Sequence, residues 1–161
     1  MKTIYLAGGC FWGLQKYLDQ FDGVTETVVG YANGATADPT YEDVGQRHTG
    51  HAETVRVTFD ETVLSAARLL ELYFRVIDPL SVNRQGNDAG VQYRTGIYYS
   101  DASLLSAIEA AVEAERKKAG KPLAVEVKPL ENFYPAEEYH QKYLEKDPNG
   151  YCHIGACFFG S

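Results

Sequence analysis

Ile4-Tyr5-Leu6-Ala7-Gly8-Gly9-Cys10-Phe11-Trp12-Gly13 starts as an apolar run, halts at two glycines and passes into a helical pattern of Leu14, Tyr17, Leu18 and Phe21. The spacing predicts a strand over 3–8 and a helix over about 11–20, with Cys10 in the first turn. There, unpaired backbone N–H groups and the positive end of the helix dipole favour an anion. A thiolate is such an anion and is the nucleophilic form of cysteine, so the position predicts a lowered thiol pKa. Read alone, Cys10 is also consistent with an inert, buried apolar residue.

Outward from that turn, Val24 to Tyr31 reads as a second strand entered through Asp22-Gly23. Tyr31 to Gly50 has little periodicity and reads as a long loop, a feature that in a compact domain commonly carries function. In strand 51–59, Glu53, Val55, Val57 and Phe59 share one face and Thr54, Arg56 and Thr58 the other. A carboxyl on the apolar face either sits at the rim of the sheet or is desolvated, and desolvation keeps it protonated. Residues 65–77 place Leu69, Leu70, Tyr73, Phe74 and Ile77 at helical spacing between a Ser65 cap and Asp78-Pro79.

Leu80 to Gln92 is polar and turn-rich, and a strand over 93–100 puts Tyr93, Thr95, Ile97 and Tyr99 on one face. A helix over 102–119 is capped by Asp101 and ended by Gly120 and Pro122, and 123–129 alternates as a further strand. After Asn132 the chain turns aromatic, with Pro135 near the first position of a short helix. Residues 145–161 read as a mobile C-terminal coil. Strand, helix, strand, strand, helix, strand over 3–100 is the ferredoxin-like split βαβ order, here with an extra helix and strand appended. It predicts an α+β fold, a two-layer α/β sandwich. With 161 residues, 45% of them hydrophobic, one domain over 1–161 is favoured over two.

A formal net charge of -7 disfavours nucleic-acid and anionic-membrane partners, which repel it at long range. The short opening apolar run is neither a secretory h-region nor a membrane span, so the expectation is a cytoplasmic protein whose thiols stay free. Three cysteines, Cys10, Cys152 and Cys157, then have to be accounted for. Structural zinc wants four ligands in tight cysteine pairs, which Cys152, His153 and Cys157 do not supply, so no metal is expected. A cysteine hydrolase needs a histidine at its nucleophile. His48, His51, His140 and His153 are candidates, but hydrolysis leaves the two tail cysteines idle.

Redox chemistry uses all three: Cys10 attacks, is oxidised to a sulfenic acid and is resolved by a second thiol to a disulfide. Oxygen leaving sulfur needs protons and hydrogen-bond donors, which a protonated carboxyl and tyrosine hydroxyls can provide. Phe11 and Trp12 can wall a pocket for a methyl next to sulfur, or simply pack the core. A thiol peroxidase and a non-catalytic binder of oxidised thioether peptides remain open on these residues.

Several stretches together resemble the peptide methionine sulfoxide reductases of the A type. They are Gly9-Cys10-Phe11-Trp12-Gly13, Pro39-Thr40-Tyr41-Glu42, Thr49-Gly50-His51-Ala52-Glu53, Asn83-Arg84-Gln85-Gly86-Asn87-Asp88, Gln92-Tyr93-Arg94, Leu130-Glu131-Asn132-Phe133-Tyr134 and Asn149-Gly150-Tyr151-Cys152. The resemblance implies that Cys10 attacks the sulfoxide sulfur while Phe11 and Trp12 border the methyl pocket. By the same resemblance Glu53 is the acid that, with Tyr41 and Tyr93, holds and protonates the oxygen, and Asp88 lines the pocket. It also implies action on the S epimer, free or in proteins, and recycling by thioredoxin, and the expectation for the protein is a cofactor-free monomer. Many relatives carry a cysteine where this chain has Gly45, so Cys152 is the expected resolver and Cys157 a candidate second one.

Overall fold

Ile4 and Leu6 point one way from the first strand and Ala7 the other, and that parity sets the layers of the molecule. A computed structural model describes residues 1–35, 39–46, 49–85, 88–147, 150, 152 and 154, apart from the side chains of residues 43, 45 and 46. In chain order the elements are β1 (Lys2–Ala7), α1 (Phe11–Asp19), β2 (Val24–Ala32), α2 (Tyr41–Gln46), β3 (Ala52–Phe59) and α3 (Ala66–Phe74). There follow β4 (Arg84–Gln85), β5 (Asp88–Ala89), β6 (Gly96–Tyr99), α4 (Leu105–Ala119), β7 (Glu126–Pro129), β8 (Phe133–Pro135) and α5 (Tyr143–Lys146).

Six strands form one sheet in the order β7-β6-β1-β3-β2-β8, antiparallel throughout except for the parallel β6–β7 pair. Since β3 runs antiparallel to both β1 and β2, it is the strand inserted between the two halves of a split βαβ unit. The expected α+β sandwich on that core is what forms. Helices cover the face that carries Ile4, Leu6, Val55 and Val57, while Ala7, Ala32, Ala52 and Tyr98 form a smaller cluster on the other face.

Apolar stripes, more than propensity, hold the helices, because isolated helices shorter than about 12 residues are marginal in water. α1 buries Phe11, Leu14, Tyr17 and Leu18, and α3 buries Leu69, Leu70, Tyr73 and Phe74. Each fully buried Leu contributes roughly 1.5–3 kcal/mol. Caps fall where the residue types suggest: Ser65 Oγ accepts from the Arg68 N–H at 3.1 Å, Asp101 Oδ1 from the Ser103 N–H at 2.9 Å, and Gly120 closes α4. No helix among the described residues is long and apolar enough to cross a membrane.

Three local expectations need correction. The stretch 31–50 is not all loop, because it contains α2. Tyr93 lies in a 3-10 turn at Val91–Tyr93 rather than in the strand, which begins at Gly96. Pro135 does not start a helix. It ends β8, the edge strand beside β2, where a residue without an N–H costs the ladder least.

Candidate active site

β1 hands over to α1 through Gly8-Gly9, and Gly9 takes φ 77°, a left-handed conformation that suits only glycine well. At Gly8 a Cβ would come within 2.5 Å of Ile77 Cγ2, so a side chain there would push away the segment that follows α3. The Tyr73 hydroxyl donates to Ala7 O at 2.5 Å, and the Gly9 N–H donates to Tyr93 O at 3.3 Å. The turn is thus pinned both to α3 and to the segment that carries Tyr93. Cys10 is the N-cap of α1, with φ -64° and ψ 128°, and its residue is 3% exposed.

The amides at this helix start face carboxyl groups. The Cys10 N–H donates to Asp88 Oδ2 at 3.4 Å, and the Phe11 N–H donates to Glu53 Oε1 at 3.2 Å. The next amide, of Trp12, is the one that serves the Cys10 sulfur. The thiol pKa is therefore raised rather than lowered as expected. Burial dominates, the Glu53 carboxyl adds to it, the Trp12 N–H opposes, and Asp88 and Cys152 raise it further.

Glu53 is 2% exposed and lies on the buried parity of β3, which resolves the choice between rim and interior in favour of interior. Burial pushes its carboxyl up to about 8, against the pull of the Phe11 N–H, and nearby Asp88 adds to the rise. At neutral pH the group is predominantly a protonated acid. Tyr41 opens α2 and Tyr93 sits in its 3-10 turn, and a hydrogen bond joins their side chains. Burial raises both phenols, Tyr93 to about 12, with the Glu53 charge as the next cause. Both hydroxyls stay protonated and available as donors.

Phe11 and Trp12 form an aromatic wall with Tyr31, Tyr41 and Tyr143. Trp12 stacks on Tyr143 at 4.0 Å between centroids and 13° between planes, and on Tyr41 at 6.3 Å and 9°. Phe11 lies 5.7 Å from Tyr31 and 6.2 Å from Tyr41. Cys152 is half-buried, packs on the same core and is a free thiol, as is Cys10. Cys157 falls outside the described residues.

The family model for peptide methionine sulfoxide reductase matches residues 2–158. The chain belongs to the peptide methionine sulfoxide reductase family. Peptide methionine sulfoxide reductase MsrA of Lachnoclostridium phytofermentans is 59% identical over 160 residues, which are 99% of this chain and 96% of that protein. The fold is similar to Mxr1 from Saccharomyces cerevisiae in reduced form, with a TM-score of 0.89 at 36% identity, covering 96% of this chain and 91% of that one. It is also similar to Mxr1 in complex with Trx2, with a TM-score of 0.62 at 29% identity, covering 88% and 84%.

For a peptide methionine sulfoxide reductase, two residues of this pocket were not singled out by the sequence. Glu137 Oε1 accepts from the Tyr31 hydroxyl at 2.8 Å, and its Oε2 accepts from the Tyr41 N–H at 3.1 Å. Burial pushes Glu137 up, but hydrogen bonds from its own N–H, from Tyr41 and from Tyr31 outweigh it and hold the carboxyl below its usual range. Tyr143, which stacks on Trp12, is the other. The only signal for either was their place in an aromatic, polar segment, and the adjacent Glu138 is exposed.

Proposed function

We propose that the protein reduces the S epimer of methionine sulfoxide, free or in proteins, to methionine, with Cys10 as nucleophile. The observation that carries this reading is a thiol and a protonated carboxyl buried together at one helix start, Glu53 accepting from the amide next to Cys10. The sulfoxide oxygen is received by the Glu53 carboxyl O–H and the Tyr41 and Tyr93 hydroxyls, and the methyl packs against Phe11 and Trp12, with Asp88 lining the same pocket. Glu53 protonates the oxygen as the Cys10 sulfur attacks the sulfoxide sulfur, and the thiol proton restores Glu53. The hydroxyl then passes from the substrate sulfur to the Cys10 sulfur as the old S–O bond and the bond between the two sulfurs break, so the thioether leaves as methionine and Cys10 is left as a sulfenic acid.

Cys152 then attacks the Cys10 sulfur, forming a disulfide and releasing water. Thioredoxin returns the pair to thiols, directly or after exchange onto Cys157. The complex of Mxr1 with Trx2 supports that partner. The enzyme works as a cytoplasmic, single-domain monomer, with the C-terminal segment supplying the resolving thiols.

Reduced protein given blocked methionine sulfoxide and thioredoxin should consume the S epimer, and consumption of the R epimer alone refutes the assignment. Mass mapping after one turnover without reductant should find Cys10–Cys152 in Cys157→Ser. A pair involving Cys157 in the wild type identifies it as the second resolver.

A further inference from the structure

We propose that Gln15, Asp19, Thr27 and Lys142 are positioning residues: they form a joint that fixes the base of the C-terminal segment to the helix of the nucleophile and so sets how fast Cys152 captures the sulfenic acid. The inference rests on the mechanism proposed above. Gln15 lies in α1 among Leu14, Tyr17 and Leu18 and is 1% exposed, a polar side chain where the helix otherwise buries apolar ones. Its partners account for it. Nε2 donates to Thr27 O at 3.2 Å and to Thr27 Oγ1 at 3.1 Å, and Oε1 accepts from the Lys142 N–H at 2.8 Å.

Lys142 closes the joint from the other side. Its ammonium donates to Asp19 Oδ2 at 2.5 Å and to Thr27 Oγ1 at 2.9 Å, and the Thr27 hydroxyl donates to Asp19 Oδ1 at 2.5 Å. Buried Thr27 thus uses its one donor and both acceptor lone pairs inside the group. Lys142 itself takes φ 55°, a left-handed backbone that a residue with a side chain keeps only where its surroundings hold it there. Gln141 ties the same stretch to the sheet, just beyond the part of β2 that β8 pairs. Its Oε1 accepts from the Val29 N–H at 3.0 Å and its Nε2 donates to Val29 O at 2.9 Å.

α1 is capped by Cys10 and ends at Asp19, and the chain runs from Lys142 through α5 to Cys152. The joint therefore connects the nucleophile's helix to the point from which the resolving thiol is strung. Capture of the sulfenic acid is intramolecular, so its rate depends on how well the two sulfurs are held within reach of each other. Methionine release needs only Cys10, the acid and the pocket.

One quenched-flow turnover without reductant reads both steps, as methionine released and as thiol lost. The control is the full chain carrying Cys157→Ser, so that the disulfide formed is Cys10–Cys152. Added to it, Lys142→Met keeps the length of the side chain and removes its ammonium. That change should slow disulfide formation about three- to tenfold, leave methionine release within about twofold and raise dimedone labelling of Cys10. Asp19→Asn should slow the same step at least about twofold, and combined with Lys142→Met it should add nothing further. Lys142→Arg, which keeps a cation for Asp19, should return the rate towards the control.

Disulfide formation at the control rate in Lys142→Met, or equal slowing of both steps, overturns the proposal and leaves the function standing. A control protein that releases methionine but forms no Cys10–Cys152 disulfide refutes Cys152 as resolver and the proposal with it. One that releases no methionine from the S epimer overturns the function itself. If Lys142→Met does not fold, Asp19→Asn decides: disulfide formation at the control rate in that variant refutes the joint.

Discussion

Glu53→Gln should make the protein more stable at neutral pH and nearly inactive. Burial raises the Glu53 carboxyl from its usual 4.5 to about 8. Between those values the folded chain keeps a proton that the unfolded chain has released, so stability falls as pH rises through the window and the loss is complete above it. Each unit of pH costs about 1.4 kcal/mol, so the wild type carries a penalty of about 1 kcal/mol at pH 5 and about 3 kcal/mol at pH 7. A glutamine stays neutral throughout, and its oxygen can still accept from the Phe11 N–H that now lies 3.2 Å from Oε1. The variant should therefore gain little stability at pH 5 and roughly 3 kcal/mol at pH 7. Loss of the general acid should lower sulfoxide turnover by about 10²–10⁴. Urea unfolding of both proteins at the two pH values, with turnover at pH 7, tests both halves. A stability difference that does not grow with pH, or a variant within tenfold of wild-type activity, refutes the view that Glu53 is a buried, protonated acid.

Wild-type kcat/KM should decline above pH of about 8 as the Glu53 proton is lost, and a pH–rate profile that stays flat to pH 9.5 would speak against the acid role. Cys152→Ser should release about one equivalent of methionine per protein and then stall, with dimedone labelling Cys10; sustained turnover with thioredoxin would assign resolution elsewhere. Ser65→Ala removes the acceptor for the Arg68 N–H at 3.1 Å and should lower the unfolding free energy by about 1 kcal/mol, with kcat/KM unchanged.

What could be read from the sequence was local. Parity along 51–59 put Glu53 with Val55, Val57 and Phe59, and all four are buried. Ser65, Asp101 and Gly120 act as caps because a cap depends on neighbours two or three residues away. Contacts across the chain were less legible. Tyr93 alternates with Thr95 and Ile97 and so reads as strand, yet Gly90 O draws its N–H at 3.0 Å into a 3-10 turn. Pro135 suits a helix start and an edge strand equally, and only the free edge of β2 decides between them. Glu137 and Glu138 are adjacent carboxylates of which one reaches Tyr31 and the Tyr41 amide. The rise of the Cys10 pKa needed the knowledge that the thiol is buried and that Glu53 and Asp88 occupy the first amides of the helix.

That last point changes what the helix start does for the chemistry. With both Cys10 and Glu53 raised by burial, the resting pocket holds two protons and no net charge from either group, a match for an uncharged sulfoxide with one basic oxygen. Two anions side by side in this low-dielectric site would each oppose the other, so in the mechanism proposed above the proton reaches the oxygen from Glu53 as sulfur commits to attack. The carboxylate then created is the species the Phe11 N–H holds best, since a hydrogen bond to an ionised acceptor is about twice as strong as to a neutral one. On the proposed mechanism the dipole of α1 therefore stabilises the conjugate base of the acid during turnover, and the sulfur is left with the Trp12 amide. A helix start that merely lowered the thiol pKa at rest would leave a buried thiolate beside Asp88 and gain nothing for the step in which oxygen departs.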